Sequence, residues 1–289
     1  MNPNLRELLK DTCNKEAVEG IFSCEEYTAP IKNWDELASV NAIHAAISAT
    51  DETQEAKKGE KQITFLKEHA KGIILDLGCG YGRVAKYLLP QRTFSGYVGV
   101  DSSIEMLSLF RKRYLSQPEE QKTPLLLVHG NITDVPIKDT TIDTVVVSAV
   151  FLHNHKKYTK TAIAECARVL REGGVVHAVN NFPNSLSFIG LQGYLYLLFL
   201  KCIGKGDKNG PVRYFTESEI RQLFSAFHSV SITRIGFEFL PKRILILPAR
   251  VNAFYRNWIA NPVNKGLERI LPRSIQHWFP MYYDVFAQR

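Results

Sequence analysis

Cysteine is scarce and scattered in this chain of 289 residues: Cys13, Cys24, Cys79, Cys166 and Cys202, with no CxxC spacing among them. That scatter suggests neither a zinc site nor a disulfide framework, so no metal is expected and a reducing compartment fits. The N-terminus, MNPNLRELLKDTCNKE, has no apolar stretch of the kind a secretory signal needs, and a cytoplasmic location is expected. The most apolar segment, residues 188–203, is too short and interrupted to span a bilayer, which takes about 20 apolar residues. Internal repeats and low-complexity tracts are missing. A Gly-Lys-Ser or Gly-Lys-Thr step is missing too, which argues against a P-loop.

What is present is ordered. With 45% hydrophobic and 22% charged residues, the chain can bury a sizeable core. Short β-branched apolar runs at 72–77, 96–100, 125–128, 142–148 and 174–180 predict five strands. Amphipathic stretches at 83–89, 103–116 and 158–171 predict helices between them, the last closed by Glu172-Gly173-Gly174 as a glycine stop. Alternation of this kind marks βα units around a parallel sheet. Thr216 and Glu219 form a capping box for a helix reaching about residue 227, and strands are expected at 230–239 and 281–287. Between those two strands lie 41 residues, 240–280, read as a helical insertion.

Chemistry concentrates behind the first strand. In Gly78-Cys79-Gly80-Tyr81-Gly82, glycines two residues apart let the backbone turn sharply and approach a ligand. Asp101 ends the next predicted strand, where a carboxylate can accept both hydroxyls of a ribose. Dinucleotide folds prefer GxGxxG, whereas GxGxG here suits an amino acid tail and a sulfonium better than a diphosphate.

These blocks resemble the class I S-adenosylmethionine-dependent methyltransferases of the small-molecule type. Asp76 to Gly82 is similar to the family's first motif, and Val98-Gly99-Val100-Asp101 to its second-strand motif. Asn131, in Gly130-Asn131-Ile132, stands where the family's side chain meets the adenine amino group, usually as Asp. The resemblance covers roughly residues 60–180 and continues beyond only in the order of elements. It implies S-adenosylmethionine as cofactor, held by Asp76, Gly78, Cys79, Gly80, Gly82, Arg83, Asp101, Ser102, Asn131, Ile132 and Ser148. It also implies an α/β, Rossmann-like, doubly wound and mostly parallel sheet of seven strands, ordered 3-2-1-4-5-7-6. The whole chain is then one domain: an N-terminal helical cap (1–62), a cofactor-binding core (63–180), and a substrate lid with the last strands (181–289).

Methyl transfer from a sulfonium is an in-line displacement that needs alignment and dryness, with a base optional. His155 and His153, just past the fourth strand, are the residues to take a proton if one must move, and Arg213 and Tyr214 resemble a substrate-facing segment. Ser148-Ala149-Val150-Phe151 lacks the Asn-Pro-Pro-aromatic pattern of nucleobase amino-methylating enzymes, so nucleic acid is not the expected partner. Residues 181–289 carry 14 Lys and Arg against six acids, leaving 1–180 at minus one. Segments 188–203 and 240–280 mix aromatic, apolar and basic residues, which suits a small apolar or lipid-like acceptor and peripheral membrane contact. Competing readings are an RNA or protein methyltransferase, a non-catalytic cofactor-binding regulator and an aminopropyl transferase.

Overall fold

Every β-branched run becomes a strand of one sheet. The computed structural model describes residues 4–13, 15–24, 64, 66, 68–91, 94–116, 123–187, 190–195, 202, 213–241, 244, 247–276 and 278–289. In chain order the strands are β1 (Lys15–Val18), β2 (Ile21–Ser23), β3 (Gly72–Leu77), β4 (Phe94–Asp101), β5 (Leu125–His129), β6 (Ile142–Ser148), β7 (Leu170–Pro183), β8 (Ser229–Ile235) and β9 (Tyr282–Gln288). They lie in the order β1-β2-β5-β4-β3-β6-β7-β9-β8. From β2 to β7 all neighbours are parallel, while β9 runs antiparallel to both β7 and β8. The seven strands from β3 onward follow the expected order, so the count is corrected from seven to nine by a hairpin added at the β5 edge.

That hairpin also corrects the expectation of a helical N-terminal cap. Residues 4–24 form two 3-10 turns, Leu5–Leu8 and Asp11–Cys13, and then β1 and β2 joined across Glu19-Gly20. Ile21 and Phe22 are buried against β5, which favours a strand over a free-standing helix turn. Cys13 and Cys24 form a disulfide, against expectation, because they flank the paired strands and the hairpin brings its own ends together. Most of the expected cap, residues 25–63, lies outside the described residues.

Strand alternation divides the core between the two sheet faces. Leu75, Leu77, Val98, Val100, Val145 and Val147 point to one side, and Ile74, Tyr97, Leu127 and Val146 to the other. Helix α1 (Ala85–Leu88) and α2 (Ile104–Leu115) cover the second face. Helix α3 (Lys156–Val169) and α4 (Glu217–Leu223) cover the first, through Ile163, Cys166 and Ile220. The capping box on α4 forms as expected: Thr216 Oγ1 accepts from Glu219 N–H, and Glu219 accepts from Thr216 N–H. Between β8 and β9 the chain carries helices from residue 249 onward: α5 (Ala249–Tyr255), a π-helical turn (Arg256–Ala260), α6 (Asn261–Ile270) and α7 (Arg273–Gln276).

Two boundaries move for reasons of backbone shape. Helix α3 stops at Val169 and β7 starts at once, so Gly173 and Gly174 are no helix stop; they form a bulge between the pairs Ile142–Leu170 and Thr144–Val175. Strand β8 ends at Ile235 because Gly236 takes φ +71°, turning the chain out of the sheet before Phe239.

One polar residue sits deep in β7. His177 is 1% exposed, with its ring 4.7 Å from that of Phe286 and 6.3 Å from that of His69. Burial away from water penalises the imidazolium, with the His69 charge adding to it, and the pKa falls from 6.5 to about 3. The unfolded chain therefore takes up a proton that the folded chain refuses between those values, and His177 lowers stability as pH falls through 6.5. Chemical denaturation of His177→Leu against pH is expected to flatten the acidic limb by up to about 1.4 kcal/mol per pH unit. An unchanged limb would assign that slope to other groups.

Candidate functional site

The sheet changes winding direction beside β3, since β4 and β5 are added on one side and β6 and β7 on the other. At such a switch point the loops at the strand ends diverge and leave a crevice. The register aligns the ends: Asp76 lies opposite Gly99 and Val146, so the loops after β3, β4 and β6 leave one edge together.

The glycine loop is built on that edge. Gly78 and Cys79 N–H groups both donate to Val100 O, at 2.8 and 3.1 Å, pinning the loop over the end of β4. Gly80 N–H donates to Asp101 Oδ2 at 2.7 Å, and Ser103 N–H to Asp101 Oδ1 at 2.9 Å. A Cβ at Gly82, where φ is +79°, would stand 2.5 Å from the Phe110 ring. At Gly80, φ +52°, a Cβ would meet nothing within 4 Å. Gly82 is thus demanded by packing, whereas Gly80 faces open space, as a surface that cradles a ligand would. The Cys79 side chain turns into the core under the loop, and burial pushes its thiol pKa well up.

Asp76 ends β3 beneath this loop and is fully enclosed. Tyr97 Oη donates to its Oδ2 at 2.6 Å, while Oδ1 is buried with no hydrogen-bond partner. Burial raises its pKa to about 7, against the opposing effects of Tyr97 and the Arg83 charge. Arg83 Nη2 donates to Ser148 Oγ at 2.9 Å, tying the loop after β3 to the end of β6.

The residues expected on the adenine side lie next along the edge. Gly130 N–H donates to Asp101 O at 2.9 Å. Asn131 Oδ1 accepts from both Thr133 N–H and Thr133 Oγ1, each at 3.1 Å, so its Nδ2 is the half left for a ligand; Ile132 is buried beside it. Ser102 takes part through its carbonyl, which accepts from His129 Nε2 at 3.2 Å. The other ring nitrogen of His129 lies 3.4 Å from Ser23 Oγ and so links the N-terminal hairpin to the site.

Past β6, the structure separates the two histidines. His153 closes the short 3-10 turn Phe151–His153 and is half-buried. His155 is exposed and caps α3, its Nδ1 accepting from Lys157 N–H at 3.3 Å. Arg213 and Tyr214 do join this edge: Arg213 N–H donates to Leu152 O at 2.8 Å, and the Tyr214 ring fills the space beside Gly193.

Two functional candidates escaped sequence reasoning. Asn181, completely buried, accepts from Val150 and Phe151 N–H and donates to Val147 and Val179 O, fixing the loop after β6. Its signal was an Asn pair at the end of an apolar strand. Glu238 is 2% exposed between two phenylalanines in sequence; burial raises the pKa values of Tyr214 and Tyr282, and the Glu238 charge adds to it at Tyr282 and, after Tyr282 itself, at Tyr214. Its signal was a lone acid inside Phe237–Leu240. Tyr282 pairs with Pro183 at the end of β7, so this carboxylate and its tyrosines overlook the same edge as the glycine loop. Among the described residues, no group of three His, Cys, Asp or Glu could hold a metal.

Comparison with known proteins agrees with this geometry. A family model described as a methyltransferase domain matches residues 75–178. A demethylmenaquinone methyltransferase of Bacillus velezensis is 32% identical over 174 residues, covering 60% of this chain and 67% of that protein. A chloroplastic methyltransferase of Arabidopsis thaliana is 29% identical over 185 residues, 62% of this chain. The chain spans about half the length of that plant protein (49%). The crystal structure of an S-adenosylmethionine-dependent methyltransferase from Methanosarcina mazei superposes with a TM-score of 0.51 at 18% identity, over 78% of this chain and 96% of that one. At that identity it supports the fold alone.

The two glycines predict opposite failures. Gly82→Ala is expected to cost about 2 kcal/mol or more in folding stability through the Phe110 clash and the left-handed backbone. Gly80→Ala should cost only about 1–2 kcal/mol, from the backbone alone, yet abolish ligand binding measured by calorimetry. Asp76→Asn gives a third outcome. Because the folded pKa is raised, Asp76 favours folding at low pH and loses that contribution as pH rises from about 4 to about 7. The Asn variant should therefore melt higher than wild type at pH 8 without ligand, while binding ligand more weakly.

Proposed function

We propose that this chain, which belongs to the class I S-adenosylmethionine-dependent methyltransferases, methylates a small apolar acceptor seated between the glycine loop and the segments that follow β7 and β8. The cofactor, when bound, supplies a methyl group on a sulfonium, whose transfer needs an aligned acceptor and exclusion of water. The residues fit that cofactor. Asp76 Oδ1, buried and without a partner, is the acceptor for an α-ammonium, and the open face of Gly80 admits the amino acid tail. Asp101 is the acceptor for ribose hydroxyls, with Ser102 and Ser148 along the same edge, and Asn131 offers its amide to the adenine beside Ile132. Cys79 contributes backbone only.

The observation that carries the acceptor class is the buried Glu238 carboxylate. It stands next to Phe237 and Phe239, in electrostatic reach of Tyr214 and Tyr282. A buried carboxylate flanked in sequence by phenylalanines and within electrostatic reach of two tyrosines suits an apolar body bearing one hydrogen-bond donor. The demethylmenaquinone methyltransferases among the relatives give a precedent for a largely apolar acceptor. The segments after β7 and β8 act as the lid that keeps water out. His153, half-buried at the close of the turn after β6, is better placed than exposed His155 to accept a proton there.

Incubating the protein with cell extract and labelled S-adenosylmethionine should put the label into the fraction soluble in organic solvent. Label confined to RNA or protein would overturn the acceptor class. Glu238→Gln should bind the cofactor as wild type does and lose at least about tenfold in transfer, the weight of one charged hydrogen bond.

A further inference from the structure

The apolar side chains left exposed on this protein are not spread evenly. Among the described residues, twelve of the sixteen large hydrophobic side chains exposed to solvent fall within 186–195 and 251–278. Leu186 is 79% exposed, Trp258 72%, Ile270 74% and Trp278 80%. Isolated exposed leucines need no explanation, but indole rings and aliphatic chains massed on two neighbouring segments do. On the helical stretch 249–270, Val251, Phe254 and Trp258 recur at three- and four-residue spacing, which puts them on one face, and the Phe254 and Trp258 rings stack 6.3 Å apart. The opposite face is the one that anchors the stretch. Ala260 is buried, and Asn264 Oδ1 accepts from Phe239 and Leu240 N–H while its Nδ2 donates to Leu240 O.

Charge accompanies the apolar face. Arg250, Arg256, Lys265, Arg269 and Arg273 are all exposed, and Glu268 is the single acid in residues 249–276, a balance of five minus one, or +4. None of the five is ion-paired among the described residues, whereas Arg168 and Arg234 are held by carboxylates. The two segments leave the sheet side by side: just before the first and just after the second, Asn184 N–H donates to Met281 O and Asn184 Nδ2 to Pro280 O, each at 3.0 Å. No helix among the described residues is long and apolar enough to cross a membrane. A helix with aromatic and aliphatic residues on one face and unpaired cations beside them lies in the plane of a bilayer interface, and the cations select anionic headgroups.

We infer that the face formed by 186–195 and 251–278 docks on an anionic lipid surface, with the tryptophans at the headgroup boundary. This inference stands apart from the acceptor reading, because vesicle binding is measured without turnover.

Flotation with phosphatidylcholine vesicles containing phosphatidylglycerol tests it. Wild type should float with these vesicles, far less with phosphatidylcholine alone, and less again as salt is raised. Trp258→Ser/Trp278→Ser and, separately, Arg250→Glu/Arg269→Glu should each lose roughly tenfold or more in partitioning, with melting temperature and cofactor binding unchanged. Should the serine variant fold poorly, the charge-reversal variant still decides. Absence of flotation with anionic vesicles, or flotation of both variants equal to that of wild type, would overturn the inference. So would a dimer in gel filtration that the same substitutions dissolve, since a second copy would then be what covers this face.

Discussion

The hydrogen bond from Gly80 N–H to the Asp101 carboxylate joins the ends of two neighbouring parallel strands, and much else in the site hangs from it. Its donor belongs to a loop whose φ values only glycine takes without strain, and its acceptor is nearly closed off from water. The same carboxylate holds Ser103, the N-cap of the next helix. One anion thereby fixes the height of the glycine loop, the start of α2 and, through Asp101 O, the position of Gly130. Parallel pairing makes this possible. In an antiparallel pair the ends of β3 and β4 would lie at opposite edges, and Asp76, Gly80 and Asp101 would never share a crevice.

The titratable groups set into the sheet follow a pattern. Asp76, Asp284 and His177 all belong to strands, and for each the loss of hydration is the largest influence on protonation. Asp284 accepts from Asn180 N–H at 2.7 Å, where β7 bulges between its pairings with Val285 and Tyr283, and its pKa is raised to about 6. That bulge delivers Asn181 to the loop after β6. The sheet is thus deformed where it serves the site and regular where it does not. Helix α3 on the first face and the β3–β6 pairing keep their ordinary geometry.

Much of this was legible in the residues themselves. Runs such as Gly72–Leu77 and Ile142–Ser148 announce strands because valine, isoleucine and leucine without helical periodicity have few other uses. The glycine loop is legible because positive φ and close packing leave glycine alone. The hairpin was not, since Lys15–Val18 is wholly exposed and shows no apolar alternation; only pairing with β5 explains it. The role of Glu172-Gly173-Gly174 was misread because a bulge and a helix stop ask for the same residue type. His155 is expected beside the site from its distance behind β6; the turn Phe151–His153 uses up that distance and makes it the cap of α3, which no local pattern announces. Glu238 acquires meaning only when β9 brings Tyr282 beside it, a long-range fact that no local pattern carries.

The placement of β9 between β7 and β8 also dictates an order of events. As the chain is made, β8 emerges before β9, its one neighbour in the sheet among the described residues, has been synthesised. The helical stretch 249–276 must be produced before β9 arrives to bridge β7 and β8. Until then Val230 and Ile232, which pack on the core, have no ladder to hold them. Closure of this half of the sheet is a late, non-local step whose loop entropy is met all at once. A nascent chain stalled before Tyr282 would present an unpaired β7 edge, the kind of surface on which chaperones act and aggregates begin.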